Sequence, residues 1–364
     1  AIPPPSSRGA KRRGDLTGIL ATYGVLGYWQ NKLVAAAETI SMPIILATQV
    51  LDDYAESVLQ AFAPLKVAAD MKEATLCREV ASAIGLVVRG QAPITAAVID
   101  AAPHLKVIGR TGVGYDTIDI AAATRRGIPV VYTPGVGARA VAEATLGFML
   151  ALCKMITYWD SALKAGHWNA RYQAQGRDLD GKTLGIIGRG RIGKLVAEMA
   201  RPFNMRVLAY DPYIDPATGA VLGVAMLDMD SVLQQADFLT LHCPQNAETL
   251  GFINRQQLEK LKPGSYLINL ARGGVIDSLD TVDALLRNGH LRGAALDVFN
   301  DEPCDTRHPL FQNSNLLVSP HAMATTLGAM TRIFKAMSDD MAAILQGRPP
   351  ENVVNPETLT GRKP

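Results

Sequence analysis

A doubly wound α/β architecture is the fold the sequence predicts, with two parallel sheets wrapped by helices and a deep cleft between them. Three observations predict it. From residue 43 to residue 318, short apolar runs of strand length alternate with amphipathic helical runs, the pattern of parallel strands joined by crossover helices. At 364 residues the chain exceeds what one hydrophobic core supports, so two domains are expected. The stretch from Thr183 to Gly193, T-L-G-I-I-G-R-G-R-I-G, reads as a strand, a glycine turn and the start of a helix.

The first 41 residues stand apart. They are rich in proline and base, lack a strong apolar face, and read as a leader or a vector-derived or upstream segment outside the fold, with Met42 as the natural start. Regular alternation then begins. Strands are expected at 43–47, 65–68, 84–88, 106–109 and 129–133, and helices at 51–62, 75–82, 95–101 and 119–126. A cluster at 134–137, P-G-V-G, suits a crossover between domains, and 140–164 reads as one long, largely apolar helix. Beyond it come strands at 183–187, 207–211, 238–242, 265–270, 293–297 and 316–318, with helices between them and a last helix at 325–346. The resulting division is a first α/β domain at 42–134, to which 320–355 returns, and a second, Rossmann-like one at 135–319. The first domain has the same βα character.

Within the glycine turn, Gly188, Gly190 and Gly193 form G-x-G-x-x-G. The first permits a tight turn, the second lets backbone approach a pyrophosphate, and the third lets helix pack on strand. Backbone amides at the following helix's start attract phosphate. Asp211 ends the next strand, where a carboxylate accepts hydrogen bonds from the adenosine ribose hydroxyls and repels a 2′-phosphate. NAD is therefore the expected cofactor. A second glycine loop, Gly112-Val113-Gly114, follows a strand of the first domain.

Composition narrows the partners. An apolar fraction of 48% with 19% charged residues is that of a soluble globular chain, and no uninterrupted apolar run is long enough to span a bilayer. The net charge of +2 resolves into +3 on residues 1–41 and −1 on the rest, so the body offers no charge-based case for nucleic acid. Cys77, Cys153, Cys243 and Cys304 are widely spaced, show no metal-ligand pattern, and suit free thiols in the cytoplasm.

Ligands of doubly wound sheets bind beyond the carboxyl ends of strands. Those ends carry His242 and Cys243, Asn269 to Arg272, Asp297 to Glu302, and His321. Hydride transfer at C2 of a hydroxy or oxo acid needs a planar cation for the carboxylate, for which Arg suits better than Lys. It also needs a base that becomes an acid in reverse, which His supplies, and a carboxylate behind it. Arg272, His321 and Glu302 are of these types, although each alone is better read as a surface arginine, a structural histidine and a solvated loop acid.

In combination and in this order, the segments from Pro43 to Asn355 resemble the D-isomer-specific 2-hydroxyacid dehydrogenases, among them D-3-phosphoglycerate dehydrogenase, glyoxylate/hydroxypyruvate reductase and D-lactate dehydrogenase. The resemblance implies NAD-dependent interconversion of a D-2-hydroxy acid and its 2-oxo acid. It implies Arg272 as substrate-binding and catalytic arginine, Glu302 as support for the histidine, and His321 as general acid/base. It further implies cofactor contacts at Arg191, Ile192, Asp211, Cys243, Leu270, Ala271, Asp297 and Val113, and substrate contacts at Arg89, Gly112, Val113 and Gly114. A homodimer through the 140–164 helix is implied as well.

Two departures bear on the substrate and its control. Phosphoglycerate enzymes often follow the arginine matched by Arg89 with Ser and then Thr, whereas here Gly90-Gln91-Ala92 follow, which leaves phosphorylation of the substrate open. The residues after 346 leave no room for a C-terminal serine-sensing domain, so control by that route is not expected. The resemblance also extends to NAD(H)-sensing corepressors, which recruit protein partners. Formate dehydrogenases differ in carrying Gln where Glu302 stands.

Overall fold

The computed structural model describes residues 42–215, 217 and 223–360, so the expectation for the leader lies outside the described residues. Two wholly parallel sheets organise what is described. The first holds β1 (Ile44–Ala47), β2 (Leu65–Val67), β3 (Ala83–Val88), β4 (Val107–Arg110) and β5 (Val130–Val131), in the order β2-β1-β3-β4-β5. The second holds β6 (Thr183–Ile187), β7 (Arg206–Tyr210), β8 (Ala225–Met226), β9 (Phe238–Leu241), β10 (Ser265–Asn269), β11 (Leu291–Leu296) and β12 (Leu316–Val318). Its order is β12-β11-β10-β9-β6-β7-β8, so the chain reverses direction across the sheet between β6 and β9. That reversal opens a crevice at the carboxyl ends of β6 and β9, where doubly wound sheets take their ligands.

Local chemistry accounts for most helix starts. The helices α1 (Asp53–Gln60), α2 (Glu73–Glu79), α3 (Ala96–Asp100) and α4 (Ile120–Arg125) serve the first sheet, and Asp52, Thr95 and Asp119 cap three of them by accepting from Ala55, Val98 and Ala122 amides. Strands such as β3 and β10 are buried along nearly their whole length, as expected where helices cover both faces.

The expected helix at 140–164 is instead two. A first helix, α5 (Ala138–Cys153), buries Ala142, Leu146, Met149 and Leu152 in the core of the second sheet with Leu184, Ile186 and Val196. Met155 then adopts a left-handed φ of 55°, and α6 (Ile156–Lys164) leaves at 56° with no buried residue. Hydrophobic content ran through the break, so pattern alone could not place it. No single helix among the described residues is long and apolar enough to cross a membrane.

The second sheet is completed by α7 (Arg191–Ala200), α8 (Met229–Gln235), α9 (Arg255–Leu258) and α10 (Leu279–Arg287). Here α9 is four residues long where seven were expected, and β8 was not expected at all. The final helix, α11 (Leu327–Leu345), returns to the first sheet. Phe334, Met337 and Met341 pack with Ile45, Ala47, Val87 and Val107. Close approach requires Gly109, since a Cβ there would sit 2.2 Å from Met341 Sδ.

Candidate active site

The glycine turn is shaped by its neighbours. Gly188 takes φ +90°, and a Cβ there would meet Cys243 N and the His242 carbonyl carbon at 2.7 Å, so β6 turns hard against the end of β9. Gly193 presses α7 onto the turn, since its Cβ would lie 2.2 Å from Gly188 O. Gly190 differs, because nothing stands within 4 Å of where its Cβ would be. It is the N-cap of α7 and no side chain caps the first-turn amides, which begin at Arg191 and Ile192. Unpaired amides, a helix dipole and open room are what a pyrophosphate needs.

Asp211, just past β7, accepts from Arg189 N at 2.8 Å through Oδ2 and from Tyr213 N at 3.0 Å through Oδ1. The carboxylate is thereby held at the end of the turn. Past β9, burial pushes the His242 imidazole down to about 3, so it is neutral, and its Nε2 lies 2.9 Å from Thr240 Oγ1. Burial pushes the neighbouring Cys243 thiol up to about 11, so it is protonated and unreactive at neutral pH.

At the end of β10 the buried Asn269 staples the turn that carries the arginine. Its Oδ1 accepts from Ala271 N at 3.0 Å, and its Nδ2 donates to Arg272 O at 2.9 Å. Leu270 and Ala271 are buried beneath. Arg272 Nη1 donates to Ala271 O at 2.8 Å, and Nε to Asp116 Oδ2 at 3.1 Å across the cleft. Its Nη2 lies against Gly114, so close that a Cβ there would be 1.7 Å away.

Beyond β11, Asp297 is 4% exposed, and burial raises its carboxyl against the hydrogen bonds that lower it. Those bonds come from Ser319 Oγ, from Ala322 N at 2.8 Å and from Met323 N at 3.3 Å, while its carbonyl accepts from His321 N at 2.8 Å. Asp297 therefore shapes the turn in which His321 holds a left-handed φ of 53°. His321 Nδ1 lies 2.8 Å from Glu302 Oε2, and its Nε2 makes no hydrogen bond among the described residues. Burial pushes the Glu302 carboxyl up, but hydrogen bonds from His321 and the Phe299 amide, the His321 charge and a bond from Gln91 bring it below the usual carboxylate range. The two turns touch, since Gly273 packs on Phe299, where a Cβ would meet the carbonyl carbon at 1.9 Å.

The first sheet contributes its own loops. Arg110, at the end of β4, donates to Gly114 O and to Gly90 O, both at 2.6 Å, and so fixes the Gly112-Val113-Gly114 loop beside the β3 loop. Burial lowers this guanidinium to about 10, helped by the Arg272 charge and opposed by Asp116. Val113 is exposed, and Gly112 has open space where a Cβ would be. Arg89 is engaged elsewhere: its Nη1 donates to Val50 O at 2.7 Å and its guanidinium lies over the Phe334 ring.

Arg272 thus meets Gly114, and Glu302 meets His321, on turns that touch through Gly273 and Phe299, while Gly188, Gly193, Asp211 and Cys243 gather at the ends of β6, β7 and β9. Sequence reasoning gave no site role to Arg110, Gln91 and Asp116, and named Asn269 only as part of a strand end. Only Asn269 carried a signal, as a polar residue closing an apolar strand.

Comparison with known proteins bears on the family and the fold. Residues 146–323 match the family model described as D-isomer specific 2-hydroxyacid dehydrogenase, NAD binding domain. A D-3-phosphoglycerate dehydrogenase from Archaeoglobus fulgidus is 37% identical over 86% of this chain and 59% of its own length. The chain therefore spans little more than half of that relative. A glyoxylate reductase from Thermofilum pendens is 40% identical over 74% of this chain and 80% of its own. Among solved structures, a protein from Thermus thermophilus superposes with a TM-score of 0.80 at 35% identity, covering 85% of this chain and 99% of that one.

Proposed function

The chain belongs to the D-isomer-specific 2-hydroxyacid dehydrogenase family, and from that premise we propose that it is an NAD-dependent oxidoreductase interconverting a D-2-hydroxy acid and its 2-oxo acid. The observation that carries the reading is the Glu302–His321 pair, 2.8 Å apart, beside an arginine that faces a glycine loop. The residues present fit a dinucleotide: open space above Gly190 and uncapped α7 amides for its phosphates, and a fixed Asp211 carboxylate for its ribose. When bound, the nicotinamide supplies or accepts the hydride.

The chain's own groups do the rest. Arg272, with amides of the Gly112–Gly114 loop, orients the substrate carboxylate and polarises the C2 oxygen. His321, protonated, delivers a proton from Nε2 to that oxygen in reduction and takes it back in oxidation. Glu302 fixes the tautomer of His321 and balances the charge of its protonated ring. Residues 42–134 with 320–355 act as the substrate domain and 135–319 as the cofactor domain. Approach of the two over the cleft would exclude water.

A second copy of the chain completes the reading. Ile156, Leu163, Trp168 and Tyr172 are between 52% and 72% exposed along α6 and the turn after it, an apolar surface suited to a homodimer. Light scattering would give twice the chain mass, and a monomer would refute it. The four cysteines are all free, which fits a cytoplasmic setting.

The activity is tested by NADH oxidation with glyoxylate, hydroxypyruvate, pyruvate, phenylpyruvate and 3-phosphohydroxypyruvate. Replacing His321 by Ala should lower kcat by about 10³-fold while NADH binding stays. Failure of all five acids despite tight NADH binding would sink the assignment.

A further inference from the structure

Gln91 reaches the acid–base pair from the opposite sheet. It sits in the loop after β3, which Arg110 anchors through Gly90 O at 2.6 Å. Its Nε2 donates to Glu302 Oε2 at 2.8 Å, the same oxygen that lies 2.8 Å from His321 Nδ1. The other oxygen, Oε1, accepts from Phe299 N at 3.1 Å. One carboxylate oxygen is therefore shared between a donor on the first sheet and a ring on the second. The Glu302 side chain is only 19% exposed, so water is a poor substitute for a lost partner.

The chemistry of an amide matters here. A lysine or arginine at this place would neutralise Glu302 and compete with the imidazolium for its charge. A glutamine gives a directed hydrogen bond and leaves the negative charge to His321. His321 is the charged group that faces Glu302, Gln91 is the neutral one opposite, and Asp301 on the same loop is exposed. A second bridge between the same two sheets, Asp116 to Arg272, likewise ends on a side chain assigned to the reaction.

We propose that Gln91 is a positioning residue that holds the Glu302 carboxylate ionised and turned toward His321, so that the acid–base pair is complete only when the 89–92 loop lies against it. This rests on the oxidoreductase reading above. Without the donor, the half-buried carboxylate loses one of the bonds that lower its pKa, and it takes up a proton at a higher pH.

The test uses Gln91→Met, which keeps length without a donor, and Gln91→Glu, which keeps shape but adds charge; both lie on an exposed loop. With NADH and the best 2-oxo acid, Gln91→Met should lower kcat about 10-fold, the worth of a hydrogen bond to a charged group, with KM for NADH and the melting temperature unchanged. The acid limb of kcat/KM should move to higher pH, and further in Gln91→Glu. Wild-type kcat and an unmoved limb in both variants, with His321→Ala inactive, would overturn the proposal alone. A fall in kcat with an unmoved limb would overturn it too, since loss of a merely structural contact gives that result. Turnover persisting in His321→Ala would overturn the reading beneath it.

Discussion

Adding one methyl group at Gly114 should disarm Arg272 without unfolding the chain. The new Cβ would stand 1.7 Å from Arg272 Nη2, 2.9 Å from Cζ and 3.1 Å from Asp116 Oδ2. Ordinary contact distance is about 3.5 Å, so the guanidinium must retreat by roughly 1.5–2 Å. The three nearest atoms all belong to side chains and Gly114 lacks a positive φ, so the backbone itself accepts the substitution. Misplacement of a positioning group by about 1 Å costs on the order of 100-fold in rate. Gly114→Ala should therefore lower kcat/KM for the 2-oxo acid about 100-fold, equivalent to about 2.7 kcal/mol of transition-state binding. The assay is initial-rate NADH oxidation, accompanied by NADH fluorescence titration and thermal melting, both expected to match the wild type. A kcat/KM within about threefold of wild type, when folding is unchanged, would show that Arg272 does not hold the substrate from beside Gly114.

Two further outcomes follow from the second sheet. Gly190→Ala should weaken NADH binding while leaving the melting temperature alone, because its Cβ meets only open space. Gly193→Ala should lower both, because its Cβ meets Gly188 O at 2.2 Å and α7 has to move off the turn. Equal melting temperatures for the two variants would contradict that distinction. His242 provides a pH test: its folded value of about 3 lies below the ordinary 6.5. The unfolded chain therefore binds a proton that the folded chain refuses, and this contribution, complete above 6.5, is lost as pH falls toward about 3. The loss is about 1.4 kcal/mol for each pH unit in that window. Relative to wild type, His242→Gln should show a flatter decline of unfolding free energy between pH 6.5 and 4.5 in urea melts. Parallel curves would mean that the imidazole is not the group responsible.

Strand and helix alternation was legible because buried parallel strands are nearly continuous apolar runs, as in β3 and β10. Less legible was the break at Met155, where apolar character continues from α5 into α6 while a left-handed residue turns the chain. Capping failed to mark it, since no Gly or Pro stands there.

By itself the sequence determined which residues could do the chemistry. Spacing within one turn is local, so Gly188, Gly190 and Gly193 announce a phosphate turn before any fold is known, and strand ends nominate Arg272, Glu302 and His321. Tertiary structure decided which of them meet and what holds them. Gln91 lies 211 residues from Glu302, and Asp116 lies 156 from Arg272, yet each pair is in hydrogen-bond contact. Nothing in a linear pattern encodes such pairs, because they exist only once two separately folded sheets bring their carboxyl-end loops together. Arg110 differs, since its bonds to Gly90 O and Gly114 O join neighbouring loops of the first sheet alone, 20 and 4 residues away.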